Sequence, residues 1–120
     1  MYLNKKIGTL GEDLACKYLK KNDYIIKSRN FRSKQGEIDI IAFDKKKKEL
    51  VFFEVKTRSN LHYGRPSESV NKIKQKHILE TAKYYIYKNF YNIYPCIRFD
   101  IIEIFIKDSS FKINHIKQFM

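Results

Sequence analysis

Gly36-Glu37-Ile38-Asp39-Ile40-Ile41-Ala42-Phe43, then Asp44-Lys45-Lys46-Lys47-Lys48-Glu49, then Leu50-Val51-Phe52-Phe53-Glu54-Val55-Lys56-Thr57-Arg58 is the stretch that decides the fold. Two apolar, β-branched runs flank a polar hexapeptide, which is the pattern of a β-hairpin with both strands in one sheet. Acidic residues inside such runs are the anomaly. Strand side chains alternate between faces, so Asp39 shares a face with Glu37 and Ile41, and Glu54 shares one with Phe52 and Lys56. Hairpin pairing then brings Asp39, Glu54 and Lys56 to one side of the sheet. Two carboxylates and an ammonium on an apolar sheet carry a desolvation cost unless they pair or bind a cation. Two readings follow. One is a structural salt bridge from Lys56 to Asp39 or Glu54. The other is a Mg2+ site, since that ion takes one or two carboxylates and leaves its other positions to water and substrate phosphate. In the second reading Lys56 sits beside the metal, where it orients an attacking water or offsets developing charge.

Ahead of this stretch, from about Asn4 to Lys21, the positions Ile7, Leu10, Leu14, Ala15, Tyr18 and Leu19 recur at threes and fours and predict an amphipathic helix. Glu12 falls at the edge of its buried stripe, a solvated flank residue or a third acid looking toward the sheet. Residues 24–32 read as a strand whose apolar positions do not alternate cleanly, and Ser33-Lys34-Gln35-Gly36 is the turn into the Asp39 strand. Arg29, Arg32 and Lys34 stand just upstream of the acids, where a phosphate backbone would meet them.

Beyond Arg58 the residues 59–66 read as a loop by their Asn, Gly and Pro content. Ser67 or Ser69 can cap a second helix with an inward stripe of Val70, Ile73, His77, Ile78, Thr81, Ala82, Tyr85 and Ile86. Lys72, Lys74, Gln75 and Lys76 crowd its first turns. Cations there oppose the helix dipole, so they are placed either to face an anion or on a solvated face. Residues 97–106 and 111–119 read as two closing strands around Lys107-Asp108-Ser109-Ser110. The order is helix, three strands, helix, two strands.

The chain has 120 residues and an apolar fraction of 43%, which fits a single domain, 1–120, with one core. With 25 basic and 13 acidic residues its net charge is +12, which favours a polyanionic partner, nucleic acid first. Twenty of the 25 basic residues are lysine, so a compositional bias is the competing explanation. No apolar run suits a signal peptide or a membrane span, and a cytoplasmic location is expected, with no membrane partner. Cys16 and Cys96 are far apart and read as reduced thiols; the scattered His62, His77 and His115 read as surface or packing residues.

Gly11-Glu12, the Gly36-Glu37-Ile38-Asp39 strand and Phe53-Glu54-Val55-Lys56-Thr57-Arg58, in this order, resemble the restriction-endonuclease-like PD-(D/E)XK nuclease fold. More closely, nearly the whole chain resembles the YraN family of small bacterial proteins, with further matches at Arg29-Asn30, at Val70 with Lys74-Gln75, and at Arg98-Phe99-Asp100. The proline of the PD signature is absent, and Ile38 precedes Asp39.

The resemblance implies an α/β restriction-endonuclease-like core, a mixed sheet of about five strands flanked by helices in the order αβββαββ. It implies Asp39 and Glu54 as ligands of Mg2+ or Mn2+ with the Val55 carbonyl, Lys56 as the residue that positions water, and Glu12 reaching a second metal. Gln75 and Lys74 would lie near the site, and Arg29, Arg32, Lys34, Arg58, Lys72, Lys74 and Lys76 would face DNA. The implied activity is a DNA endonuclease acting on branched or otherwise structured DNA, with a homodimer as a further implication. The rival reading is a non-catalytic DNA-binding or partner-recruiting protein on a nuclease scaffold.

Overall fold

The computed structural model describes residues 2–58, 70–90 and 95–120. Helix α1 (Tyr2–Lys21) leads into strands β1 (Tyr24–Arg32), β2 (Glu37–Asp44) and β3 (Glu49–Arg58); helix α2 (Lys72–Asn89) follows, then β4 (Ile97–Lys107) and β5 (Ser110–Ile116). The five strands form one sheet in sequence order. β3 and β4 run parallel and the other neighbours antiparallel. A parallel neighbour needs a crossover, and α2 lies in it. This is the mixed α/β arrangement, αβββαββ, of a restriction-endonuclease-like core.

Each face of the sheet has its own core. Ile40, Ala42, Val51, Phe53, Ile102 and Ile104 pack with Ala15, Cys16 and Leu19 of α1. Ile41, Phe52, Phe99 and Ile101 pack with Ile78, Ala82 and Tyr85 of α2. Cover on both faces explains why the central strands read as nearly continuous apolar runs. The uneven alternation of β1 also has a cause. Ile26 pairs with Ala42 and Ser28 with Ile41, so Lys27 is an extra residue, a bulge.

Several expected positions differ. Leu10 is exposed, because α1 meets the sheet along Gly11, Ala15, Cys16 and Leu19. Gly11 comes so close to the Thr57 side chain that a Cβ there would collide with it. Helix α2 starts later than expected, at an Asn71 cap whose side chain accepts from Lys74 N at 2.9 Å. Ser67 and Ser69 lie outside the described residues, as do the loop residues 59–66. Val70 is buried but precedes the helix, while Ile73 and His77 are exposed. Five residues separate Ile73 from Ile78, about 140° around a helix, so when Ile78 faces the sheet Ile73 cannot. Strand β5 ends at Ile116 rather than Phe119. Gln118 has φ 54, and the turned chain lets Gln118 N donate to Asp100 Oδ1 and Phe119 N to the Phe99 carbonyl.

One end of the sheet is closed by a buried ionic network. Arg98, on β4, donates through Nε to Asp100 (2.9 Å to Oδ1), through Nη1 to Asp44 Oδ2 (3.1 Å) and Glu49 Oε1 (2.8 Å), and through Nη2 to the Tyr24 hydroxyl (2.7 Å). His115 Nε2 stands 2.7 Å from Asp100 Oδ2, and its Nδ1 stands 2.9 Å from the Tyr18 hydroxyl. Burial works against the Asp100 carboxylate, yet the hydrogen bonds of His115 and Arg98 hold it below its usual range. An ionised Asp100 requires a proton on His115 Nε2, so in a neutral imidazole Nδ1 accepts from Tyr18. Cys16 is buried, Cys96 is exposed, and both are free thiols. No helix among the described residues is long and apolar enough to cross a membrane.

Removing Arg98 leaves three carboxylates facing one another without their cation. Arg98→Ala is therefore expected to lower stability by about 3–5 kcal/mol in urea unfolding. Arg98→Lys should recover only part of this, because an ammonium cannot reproduce the guanidinium fork.

Candidate active site

The β2–β3 ladder runs from the Asp44–Glu49 pair to the Ile40–Phe53 pair and stops there. One residue further, Asp39 Oδ2 accepts from the Val55 main-chain N–H at 2.7 Å. A side chain has taken the place of the main-chain partner, which anchors Asp39 where the strands part. On the next position of β3, Glu54 is nearly buried, and its Oε1 meets Lys74 Nζ at 3.1 Å and Lys56 Nζ at 3.5 Å. Asp39 and Glu54 line a cleft of about 210 Å³ with Gly36, Glu37, Lys74, His77 and Ile78. The Ser33–Gly36 turn forms one wall of the cleft because it rests on α2. Ser33 Oγ lies 3.0 Å from Thr81 Oγ1, and a Cβ on Gly36 would come within 3.3 Å of His77.

Burial pushes the Asp39 carboxyl up to about 7, with the Glu54 carboxylate adding to the effect and Glu12 and Glu37 contributing smaller shares, against the lowering influence of the Val55 hydrogen bond. The flanking ammoniums are split. Burial lowers Lys56, and Lys74 beside it lowers it further, against the pull of Glu54. Burial is the largest single influence on Lys74 and opposes its charge, but Glu54 and the other neighbours together, Asp39 among them, make the net shift upward. Lys74 is thus the firmer partner of Glu54, and Lys56 the more readily deprotonated amine.

Glu12 approaches from α1, which the close Gly11–Thr57 contact holds against β3. It stands 3.6 Å from Arg29 Nη2, which is bound at 2.9 Å by Asp13. Arg29 is therefore committed to α1. Arg32 is exposed with Glu37 3.6 Å away, and Lys34, Lys72 and Lys76 are exposed. Gln75 Nε2 donates to the Val70 carbonyl at 3.1 Å, so Lys74 rather than Gln75 is the α2 residue bonded to the acids. Glu103 was not a sequence candidate. It is 2% exposed, stands across from Lys56 on β4, and its Oε2 has no hydrogen-bond partner among the described residues. Arg58 Nε shares that condition.

Among the described residues no group of three or more His, Cys, Asp and Glu side chains is gathered to hold a metal ion. A cation here would take the hard oxygens of Asp39 and Glu54 and fill its other positions with main-chain, water or substrate oxygen. That donor set fits Mg2+ or Mn2+ and does not fit zinc, which favours Cys and His. The elevated Asp39 supports the same fit, because a second carboxylate close by in a buried site is relieved by a dication.

The family model described as "Uncharacterised protein family UPF0102" matches residues 11–104. The chain belongs to the UPF0102 (YraN) family. The matched region includes Glu12, Asp39, Glu54, Lys56, Lys74, Arg98 and Asp100. A UPF0102 protein of Clostridium beijerinckii is 52% identical over 118 residues, 96% of this chain and 93% of its own length. One from Clostridium botulinum is 50% identical over 117 residues, 95% of this chain and 93% of its own. A third, from Caldicellulosiruptor bescii, is 50% identical over 115 residues, 94% of this chain and 95% of its own. This UPF0102 chain thus matches its relatives nearly end to end.

An acid whose folded pKa is raised binds its proton more tightly in the native state than in the unfolded chain. Its ionisation therefore destabilises the fold progressively as pH rises from about 4 to about 7, and fully above that. Asp39→Asn keeps the acceptor for Val55 and removes the charge. In chelator it should stabilise the protein at pH 8 by on the order of 1–3 kcal/mol and have little effect at pH 4, read by thermal unfolding at both pH values. Equal effects at both would contradict the electrostatic account.

Proposed function

We propose that this protein is a divalent-metal-dependent endonuclease that hydrolyses phosphodiester bonds in DNA, with branched or otherwise structured DNA as its substrate. The observation that carries this reading is the meeting of half-buried Asp39 and buried Glu54 in an open cleft, with Lys56 beside Glu54, on a strongly basic protein. Hydrolysis forms one P–O bond from water and breaks another to the departing sugar oxygen, which must gain a proton. Asp39, Glu54 and the Val55 carbonyl would hold the cation, which supplies Lewis acidity toward the phosphate. Lys56, the amine whose proton is more weakly held, orients the attacking water or takes its proton. Lys74 keeps Glu54 in place from α2, and Glu12 adds negative charge from the α1 side. Exposed Arg32, Lys34, Lys72 and Lys76 stand around the cleft as contacts for neighbouring phosphates. Cutting both strands of a branched duplex would take two copies of the chain, so a homodimer acting in the cytoplasm belongs to the same proposal.

A second reading has its own support. Two ammonium groups already neutralise Glu54, which suits a stable scaffold that binds DNA or recruits a partner without turnover.

Cleavage assays on labelled duplex, single-stranded, flapped and four-way-junction DNA, with Mg2+, Mn2+ or chelator, separate the two. Metal-dependent cleavage that falls at least about 100-fold in both Asp39→Ala and Lys56→Ala, with folding retained, is the expected result. Cleavage surviving in both variants, or absent from every substrate while binding persists, would remove the nuclease reading.

A further inference from the structure

One flank of α2 starts at the cleft with Lys74 and His77 and leads away from it, and beyond those two residues it has no part in the chemistry proposed above. Lys74, His77, Thr81, Tyr84 and Lys88 recur at threes and fours along it, so they form one stripe running down the helix from the acids. The Ser33–Gly36 turn borders the stripe, as its contacts with His77 and Thr81 show. That turn and the adjoining end of β1 add exposed Lys34 and Arg32. Further along, the Tyr84 ring is 42% exposed, tilts against Phe31 of β1 with centroids 6.1 Å apart, and lies 5.4 Å beneath the Lys88 ammonium. Phe31 packs beside the ring and Lys88 lies over it, so a flat apolar partner reaches the exposed ring once the exposed Lys88 side chain swings toward a phosphate. From Lys74 to Lys88 the helix rises about 21 Å, the length of roughly six phosphates of a stacked strand.

We propose that this flank binds a single-stranded segment of DNA continuous with the strand at the acid cleft, a base stacking on Tyr84 and phosphates meeting Lys34, Arg32 and Lys88. The proposal deepens the nuclease reading and rests on it for the direction of the strand. It makes the preferred substrate a duplex with an unpaired tail or arm rather than a continuous duplex. A positively charged groove with aromatic rings along it is the general solution for unpaired strands, because every base offers a π-face whereas a duplex hides its faces in the stack. A protein ligand fits less well, since the stripe offers charge and a single ring rather than an apolar pocket.

The test is anisotropy at fixed low salt in chelator, with a fluorescein-labelled blunt duplex and the same duplex bearing a twelve-nucleotide dT tail. The tailed probe should bind more tightly than the blunt one. Tyr84→Leu keeps apolar packing on Phe31 but removes the ring, and it should weaken tailed-duplex binding about tenfold with little change for the blunt probe. Tyr84→Phe should retain the preference. Phe111→Ala, which removes an exposed ring on β5 at the far edge of the sheet, should also leave it intact. Lys88→Glu, at an exposed surface position where folding is not at risk, should lower affinity for the tail and make it less salt-dependent. Equal binding of the two probes, or unchanged tail binding in Tyr84→Leu and Lys88→Glu, overturns the proposal. Binding without metal and cleavage with it are read separately. Asp39-dependent cutting without tail preference removes only the platform, and tail preference without cutting removes only the nuclease reading.

Discussion

The buried guanidinium of Arg98 is the interaction on which the rest of the sheet depends. It sits on β4 and reaches Tyr24 at the start of β1, Asp44 at the end of β2, Glu49 at the start of β3 and Asp100 on its own strand. Through Asp100 it also engages His115 of β5 and the Gln118 main chain. All five strands are therefore tied at one end by a single cation. Asp44, Asp100 and the Tyr24 hydroxyl are buried and Glu49 is half-buried, so the network tolerates little displacement: a buried carboxylate that slips loses a charge-assisted bond and gains no hydration. Arg98 is consequently held well above its usual range, and burial pushes the Tyr24 hydroxyl up to about 12 even with the cation beside it.

The other end of the sheet is built in the opposite way. There the β2–β3 ladder stops at Ile40 and Phe53, and the Asp39 side chain receives the Val55 N–H. Where strands part, main-chain groups and side chains become available to something outside the sheet. The Arg98 end uses its acids to close the structure, whereas at the Asp39 end Lys56 and Lys74 both pair with Glu54 and Asp39 accepts from a main-chain N–H. At the first end three carboxylates share one guanidinium, while burial raises Asp39 and the neighbouring Glu54 and Glu12 add to that shift. One polypeptide thus uses carboxylates for cohesion at one end and lines an open cleft with them at the other.

How much of this can be read without coordinates follows from the range of each interaction. The β2–β3 hairpin is legible because its signals are local: two β-branched runs, a lysine-rich turn and two acids out of place. The alternation of strand side chains then brings Glu54 and Lys56 to one face, and the structure has them 3.5 Å apart. The start of α2 is less legible, since Val70, Ile73 and His77 satisfy helical spacing while only the Asn71 cap reveals the true phase. The Arg98 network is not legible at all. Tyr24, Asp44 and His115 are as many as 91 positions apart, and their meeting is fixed by strand order and register. Arg98-Phe99-Asp100 was visible as a family motif, but its task was not, because alternation shows that Arg98 and Asp100 share a face and not what faces them. Lys74 and Gln75 illustrate the same limit one residue apart. Both sit at the start of α2, and a 100° step between them places Lys74 on Glu54 and Gln75 on the Val70 carbonyl.

The covered sheet constrains where recognition can occur. Both helices cover it and β2, β3 and β4 are buried between them, so among the described residues no independent element is left to enter a groove. Among the described residues, the surface near the acids is formed by the Ser33–Gly36 turn, the first turn of α2 and the flank of that helix. These present cations and one ring, with few of the paired donors and acceptors that discriminate one base edge from another. Such a surface responds to phosphate spacing and to whether bases are stacked away or exposed. On the proposed reading, selection by DNA structure rather than by base sequence follows from this surface, because both faces of the five-stranded sheet are covered and the described residues near the acids offer its rim.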